Sequence, residues 1–179
     1  MRKLLNAKKT NYTIIIIKGL IIFLFAFATI RDYQEIIFEL NINYEDDYTI
    51  SDFFILITNR GYFRASYILL IPLIGCFINK KIGWIFMTSY FYFLVTNLTY
   101  STIGKGIYNT KEILLFSTIS ILISLFILIM NGKNMVRKSY DIQKGEILIS
   151  NIKASYIGIF ITLFTTWFAH SLVNPWLVL

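Results

Sequence analysis

An all-helical integral membrane protein with about five spanning helices is predicted by three observations: composition, the spacing of apolar segments and the placement of charge. Hydrophobic residues make up 56% of the 179 positions and charged residues only 15%, with a mean hydropathy of +0.64. A chain of this length cannot hide that much apolar surface in an interior of its own. A bilayer resolves the excess by solvating it. The apolar residues gather into long segments, and most charges fall between them. The chain, 1–179, therefore reads as a single polytopic membrane domain, and its abundance of Ile, Lys, Asn, Tyr and Phe suggests an AT-rich, bacterial genome.

The first spanning helix is placed at about 12–30. Arg2, Lys3, Lys8 and Lys9 precede it, as in a signal peptide, but the run from Thr13 to Ile30 is too long for a signal core. Arg31 and Asp32 follow without a small-x-small cleavage site, so the segment is expected to be a retained anchor. Lys18 lies about 10 Å along the helix from its start. It either snorkels toward the basic end or meets a partner helix or a wet cavity.

An outer acidic region, 31–61, comes next. It holds seven of the ten carboxylates: Asp32, Glu35, Glu39, Glu45, Asp46, Asp47 and Asp52. Arg31 to Leu40 suits a short helical extension at the interface, and Asn41 to Tyr48 is polar and irregular. Thr49 and Asp52 have capping-box spacing ahead of Phe53-Phe54-Ile55-Leu56-Ile57, which predicts a short interfacial helix ending near Asn59-Arg60-Gly61.

The second spanning helix is expected at 62–78, with Pro72 inside it, and Asn79-Lys80-Lys81 forms a basic turn. The third covers 82–101, with Trp84 as a headgroup-belt residue and the run Tyr90-Phe91-Tyr92-Phe93 in lipid contact and packing. The fourth, 113–130, is the most uniformly apolar. An inner basic loop, 131–153, is expected to rest on anionic headgroups, with Glu146 to Ser150 as either a strand or a surface helix. The fifth spanning helix is placed at 154–172.

Charge orients the array. Five spans put eleven basic residues on one side (Arg2, Lys3, Lys8, Lys9, Lys80, Lys81, Lys133, Arg137, Lys138, Lys144 and Lys153) against Arg31, Arg60, Arg64, Lys105 and Lys111 on the other. The positive-inside bias then predicts a plasma (inner) membrane protein with a cytoplasmic N-terminus and an outer C-terminus. A four-span fallback merges the helices that meet at Lys80. It moves the basic loop outside, against its five cations.

The usual catalytic constellations are missing. His170 is the single histidine and Cys76 the single cysteine, so multi-histidine metal sites and disulfides within the chain are excluded. No phosphate loop, dinucleotide fingerprint or nucleophile elbow occurs. The predicted spans carry no carboxylate for acid–base work. The sequence therefore points away from an enzyme, with no catalytic residue, cofactor or metal, and the basic residues do not form a nucleic-acid stripe.

Three groups of polar residues remain as candidates. Thr162, Thr166 and His170 recur every four residues, and with Asn97 and Lys18 they form the candidate polar intramembrane face. That face either lines a path for ions or bonds its own helix carbonyls. Ser117, Ser120 and Ser124 share a face suited to close helix packing. Glu45, Asp46, Asp47 and Asp52 outside, and Arg137 and Lys138 inside, are candidate partner contacts. The acidic group lacks the ligand spacing and turn glycine of a calcium loop. The expected function is a non-enzymatic, oligomerising sensor, effector or partner-binding subunit, its partners being the lipid bilayer and a second copy or another protein. The alternative is a small ion or solute channel or transporter subunit. In size and composition the chain is similar to small membrane proteins of bacterial defence, toxin-immunity and peptide-export loci.

Overall fold

The computed structural model describes residues 12–44, 49–60, 62–104, 110–132, 136 and 139–173, and every regular element among them is helical. The helices are α1 (Tyr12–Tyr44), α2 (Ile50–Arg60), α3 (Arg64–Phe77), α4 (Lys81–Gly104), α5 (Thr110–Met130) and α6 (Ile147–Val173), with one 3-10 turn, Lys144–Glu146, leading into α6.

Among the described residues three helical stretches are long and apolar enough to cross a membrane: Tyr12–Ile42, Lys111–Met130 and Lys144–Trp167, whose apolar 18-residue windows have mean hydropathies of 2.5, 2.8 and 1.7. The count of about five is thus not met by length and composition. The second expected span, 62–78, is the 14-residue α3, about 20 Å at the helical rise and short of the hydrocarbon thickness. The third, α4, has 24 residues, but its Tyr, Thr and Ser residues dilute its apolar character.

Packing explains that dilution. α4 lies at the centre of the bundle, against α3, α5 and α6, while α1 packs on α3. Trp84, Met87, Thr88, Ser89, Phe91 and Phe93 of α4 are all buried. A helix enclosed by protein can carry hydroxyls and phenols that lipid would penalise. Trp84 is accordingly not a belt residue. It is fully buried, and its indole N–H donates to the Met130 carbonyl at 3.2 Å. Within the aromatic run Phe91 and Phe93 are buried and Tyr90 and Tyr92 half-buried, and Phe91 stacks on Phe126 of α5 at 5.8 Å.

The outside is apolar. Only 6% of the most apolar α5 window is buried within the chain, and large side chains such as Leu114, Ile121, Leu128, Phe23, Phe160 and Trp167 are exposed. Water-soluble monomers rarely show apolar patches beyond a few hundred Å², so this exterior is compatible with lipid.

Two glycine contacts set the spacing at the centre. A Cβ on Gly158 of α6 would lie 2.6 Å from the Phe93 amide nitrogen and 2.9 Å from the Ser89 carbonyl oxygen. One on Gly83 would lie 1.9 Å from the Ile78 carbonyl oxygen and 2.7 Å from that of Gly75. Backbones at these crossings meet with no side chain between them.

Several boundaries differ from the sequence reading. α1 runs unbroken for 33 residues, so the expected interfacial extension continues the first span. Its buried positions, Ile14, Ile17, Ile21, Ala28, Asp32, Ile36 and Leu40, keep helical spacing throughout and give the chain no reason to break. α2 forms as expected: the Thr49 amide donates to Asp52 Oδ2 at 2.8 Å, and the Asp52 amide donates to Thr49 Oγ1 at 3.4 Å. The Thr49 hydroxyl, donating to Asp52 Oδ2 at 2.6 Å, and then the Thr49 amide hold the Asp52 carboxyl below its ordinary pKa. Leu56 packs with Ile36 and Leu40 in a small second core, while Phe54 and Ile55 stay exposed. Gly61, part of the expected cap, lies outside the described residues.

The fifth span begins seven residues earlier than expected, because Ile147 to Ser150 form the first turn of α6. The Gln143 amide donates to Glu146 Oε2 at 3.3 Å and caps that start. Part of the inner loop packs into the bundle. Val136, Tyr140 and Ile142 are buried in the main core beside Met87 and Ile17. Burial raises the Tyr140 phenol above its ordinary pKa.

Candidate functional site

The bundle has two distinguishable ends. At the basic end, Lys18 Nζ donates to Asn79 Oδ1 at 2.8 Å and lies 5.8 Å from the Tyr140 ring centre. Lys18 thus finds its partner on the turn after α3. Lys81 pairs with Glu146 at 2.8 Å. An amide pair closes this end, with Asn151 Nδ2 donating to Asn131 Oδ1 at 2.7 Å and Tyr92 donating to Asn151 Oδ1 at 3.0 Å. These groups tie α4, α5 and α6 together. Asn131 and Asn151 drew no attention in the sequence, because both fall in the predicted inner loop, where polar residues are ordinary.

Further along α6, Thr162 is buried and shares a 2.6 Å hydrogen bond with Thr96 of α4. Thr166 donates to the Thr162 carbonyl of its own helix at 2.6 Å. Asn97 is half-buried on α4, and the side chain of His170 lies outside the described residues. Thr162 therefore joins two packed helices, one turn from the Gly158 crossing, and lines no path there. Replacing Thr162 with valine keeps the shape and removes one interhelical hydrogen bond. The expected loss is about 0.6 kcal/mol, the size measured for such bonds in lipid, checked by unfolding the reconstituted protein in mixed micelles.

The packing serines are not packed within the chain. Ser117 and Ser124 are exposed and Ser120 is half-buried, with Ser124 donating to the Ser120 carbonyl at 2.8 Å. Glu45, Asp46, Asp47, Arg137 and Lys138 lie outside the described residues, so of the candidate partner contacts only Asp52 is placed, capping α2.

The acidic end holds a cavity of about 500 Å³ between α1, α3 and α4. Arg31, Asp32 and Glu35 of α1, Arg64 of α3, and Tyr62 and Tyr90 form its polar lining. Ile68, Leu69, Phe93 and Leu94 form its apolar wall. Arg31 Nη2 sits 2.9 Å from Asp32 Oδ1, and its Nε sits 3.5 Å from Glu35 Oε1. Asp32 is buried, at 4% exposure, whereas half of the Arg31 and Glu35 side-chain surface remains exposed. Asp32 thus lies within the bundle, on the same continuous helix as the first span. The sequence alone predicts a short helical extension at the interface for this residue.

A buried carboxylate needs a cation or several donors, and Arg31 supplies one. Glu35 meets Arg31 through the longer contact and faces the open side. The cavity therefore presents both signs of charge at its rim and hydrocarbon deeper in, a lining suited to holding an amphipathic molecule. One signal for it was present in the sequence: Asp32 falls in line with the apolar positions Ala28, Ile36 and Leu40, four residues apart. Among the described residues no group of three His, Cys, Asp or Glu side chains is placed to hold a metal.

No protein-family model, curated protein or solved structure matches the chain.

Proposed function

We propose that the chain is a non-enzymatic protein of the bacterial plasma membrane, crossing it five times with the basic end in the cytoplasm. It works as a sensor or partner-binding subunit whose ligand or partner engages the outer cavity between α1, α3 and α4. The observation that carries this reading is the mixed-charge cavity built around the buried Asp32. A carboxylate held inside an apolar bundle is costly, and such groups in membrane helices mark functional positions.

Packing and charge support five crossings. α3 and α4 join at the turn that holds Asn79, which receives Lys18 from the start of α1. α5 ends at that same level, where Trp84 meets Met130, and α6 starts there, where Lys81 meets Glu146. α3 runs beside α1 from the level of Thr29, which bonds Ser66, to that of Lys18, and α4 returns along α3, an alternation that supports a crossing by each. The four-span fallback fits this alternation poorly.

The bare α5, with its serine face, leaves room for a second copy or another membrane protein, the oligomerising element of the proposal. A channel through the Thr162 face of a single chain is disfavoured by the contact at Gly158, which has no space for a methyl group.

Native mass spectrometry of the full chain, extracted from its own membrane in mild detergent, tests the reading. A species carrying a bound molecule or a stoichiometric protein partner is expected. Leu69→Trp, which fills the cavity, should release it. A bare monomer for wild type and variant alike would refute the proposal.

A further inference from the structure

The geometry points to a zwitterionic phospholipid headgroup, with a primary ammonium and a phosphate, as the occupant of the cavity at the acidic end. This rests on the binding function proposed above and names the ligand class. Three observations argue for it.

The charged rim is balanced: Arg31 and Arg64 supply two positive charges, Asp32 and Glu35 two negative ones. An anionic headgroup would meet both carboxylates, and a simple cation both guanidiniums. A ligand bearing one charge of each sign matches the rim. An ammonium docks at Glu35, which is half-exposed and held by Arg31 only at 3.5 Å. A phosphate docks against the guanidiniums, each of which has five N–H donors and can serve an anion besides its present partners.

The depth is that of headgroups. Arg31 lies nineteen helical steps from Tyr12 on one continuous helix, about 28 Å at the usual rise and close to the hydrocarbon thickness. A headgroup of the outer leaflet sits at this level without leaving the bilayer.

The wall is apolar where a lipid's chains would begin. Ile68, Leu69, Phe93 and Leu94 line the cavity beside the charges, and a volume of about 500 Å³ holds a headgroup with its first methylenes. A soluble zwitterion would leave this wall unmatched.

The test uses the full chain in nanodiscs of phosphatidylglycerol alone, or mixed equally with phosphatidylethanolamine or phosphatidylcholine, followed by native mass spectrometry of retained lipid. One phosphatidylethanolamine per chain is expected, retained about tenfold over phosphatidylcholine, whose quaternary nitrogen donates no hydrogen bond. Glu35→Gln should abolish that preference, whereas Glu112→Gln, on the exposed start of α5, should keep it. Ile68→Trp should expel the lipid from a chain whose helicity is unchanged. Equal retention of the three lipids, or an unaltered preference in Glu35→Gln, would overturn the assignment. So would displacement of the bound species by free phosphoethanolamine, which would identify a soluble ligand. If a different molecule or a protein partner leaves with Leu69→Trp from native membranes, the binding function stands and only the headgroup assignment falls.

Discussion

Replacing Gly158 with leucine is expected to force α4 and α6 apart and to lower stability by about 3 kcal/mol or more, at or beyond the upper end of ordinary overpacking. The obstacle is backbone: a Cβ at this position already stands 2.6 Å from the Phe93 amide nitrogen and 2.9 Å from the Ser89 carbonyl oxygen. Neither atom can rotate away as a side-chain tip would. The same displacement would stretch the 2.6 Å contact of Thr96 with Thr162 and the 3.0 Å bond from Tyr92 to Asn151. Gly19 is the matched control, since nothing lies within 4 Å of a Cβ built there. Gly19→Leu should leave the thermal unfolding of the purified protein near wild type, while Gly158→Leu should drop it by many degrees or prevent extraction of folded protein.

Truncation of Trp84 to alanine should be comparably severe, about 3–5 kcal/mol, the range for emptying a large aromatic site. Trp84 is wholly buried in α4, and its N–H closes on the Met130 carbonyl in the last turn of α5. Lipid cannot fill a void enclosed by protein, so the lost packing is not regained from the surroundings. Trp84→Phe separates the two contributions. It keeps much of the volume and forfeits the hydrogen bond, at about 1 kcal/mol. Hydrogen exchange across Ile127 to Met130 reads the result locally: faster exchange in Trp84→Ala than in Trp84→Phe is expected, because α5 is otherwise held mainly by α4.

The helices were legible in the sequence, and their environment was only partly so. Long apolar runs announced α1, α5 and α6, and the Thr49–Asp52 spacing announced α2. The misreadings share a physical origin. Hydropathy measures how a residue partitions between oil and water, and it is blind to whether neighbouring helices enclose that residue. Trp84 therefore read as an interfacial residue while being the most protected aromatic side chain of the core. Tyr140 and Ile142 read as loop because the charges around them hid two side chains that close the basic end.

The cavity was harder still. Its residues come from three helices separated by tens of positions, and Arg31, Asp32 and Glu35 look like the ordinary polar flank of a membrane span. Only the burial of Asp32 distinguishes them. The acidic residues singled out for partner binding were instead those of the densest cluster, of which Asp52 serves as a helix cap.

Labelling of single cysteines tests most directly the proposed five-crossing bundle, in which α3 and α4 both pass through the bilayer. In a Cys76→Ala background, cysteines would replace the half-buried Asp52 or the exposed Lys80 or Lys144, and intact cells would be treated with a membrane-impermeant maleimide. The bundle predicts labelling of the Asp52 position in intact cells, and of the Lys80 and Lys144 positions only after the membrane is opened. Labelling of either lysine position from outside, or recovery of the unmodified chain in detergent-free supernatant, would contradict it.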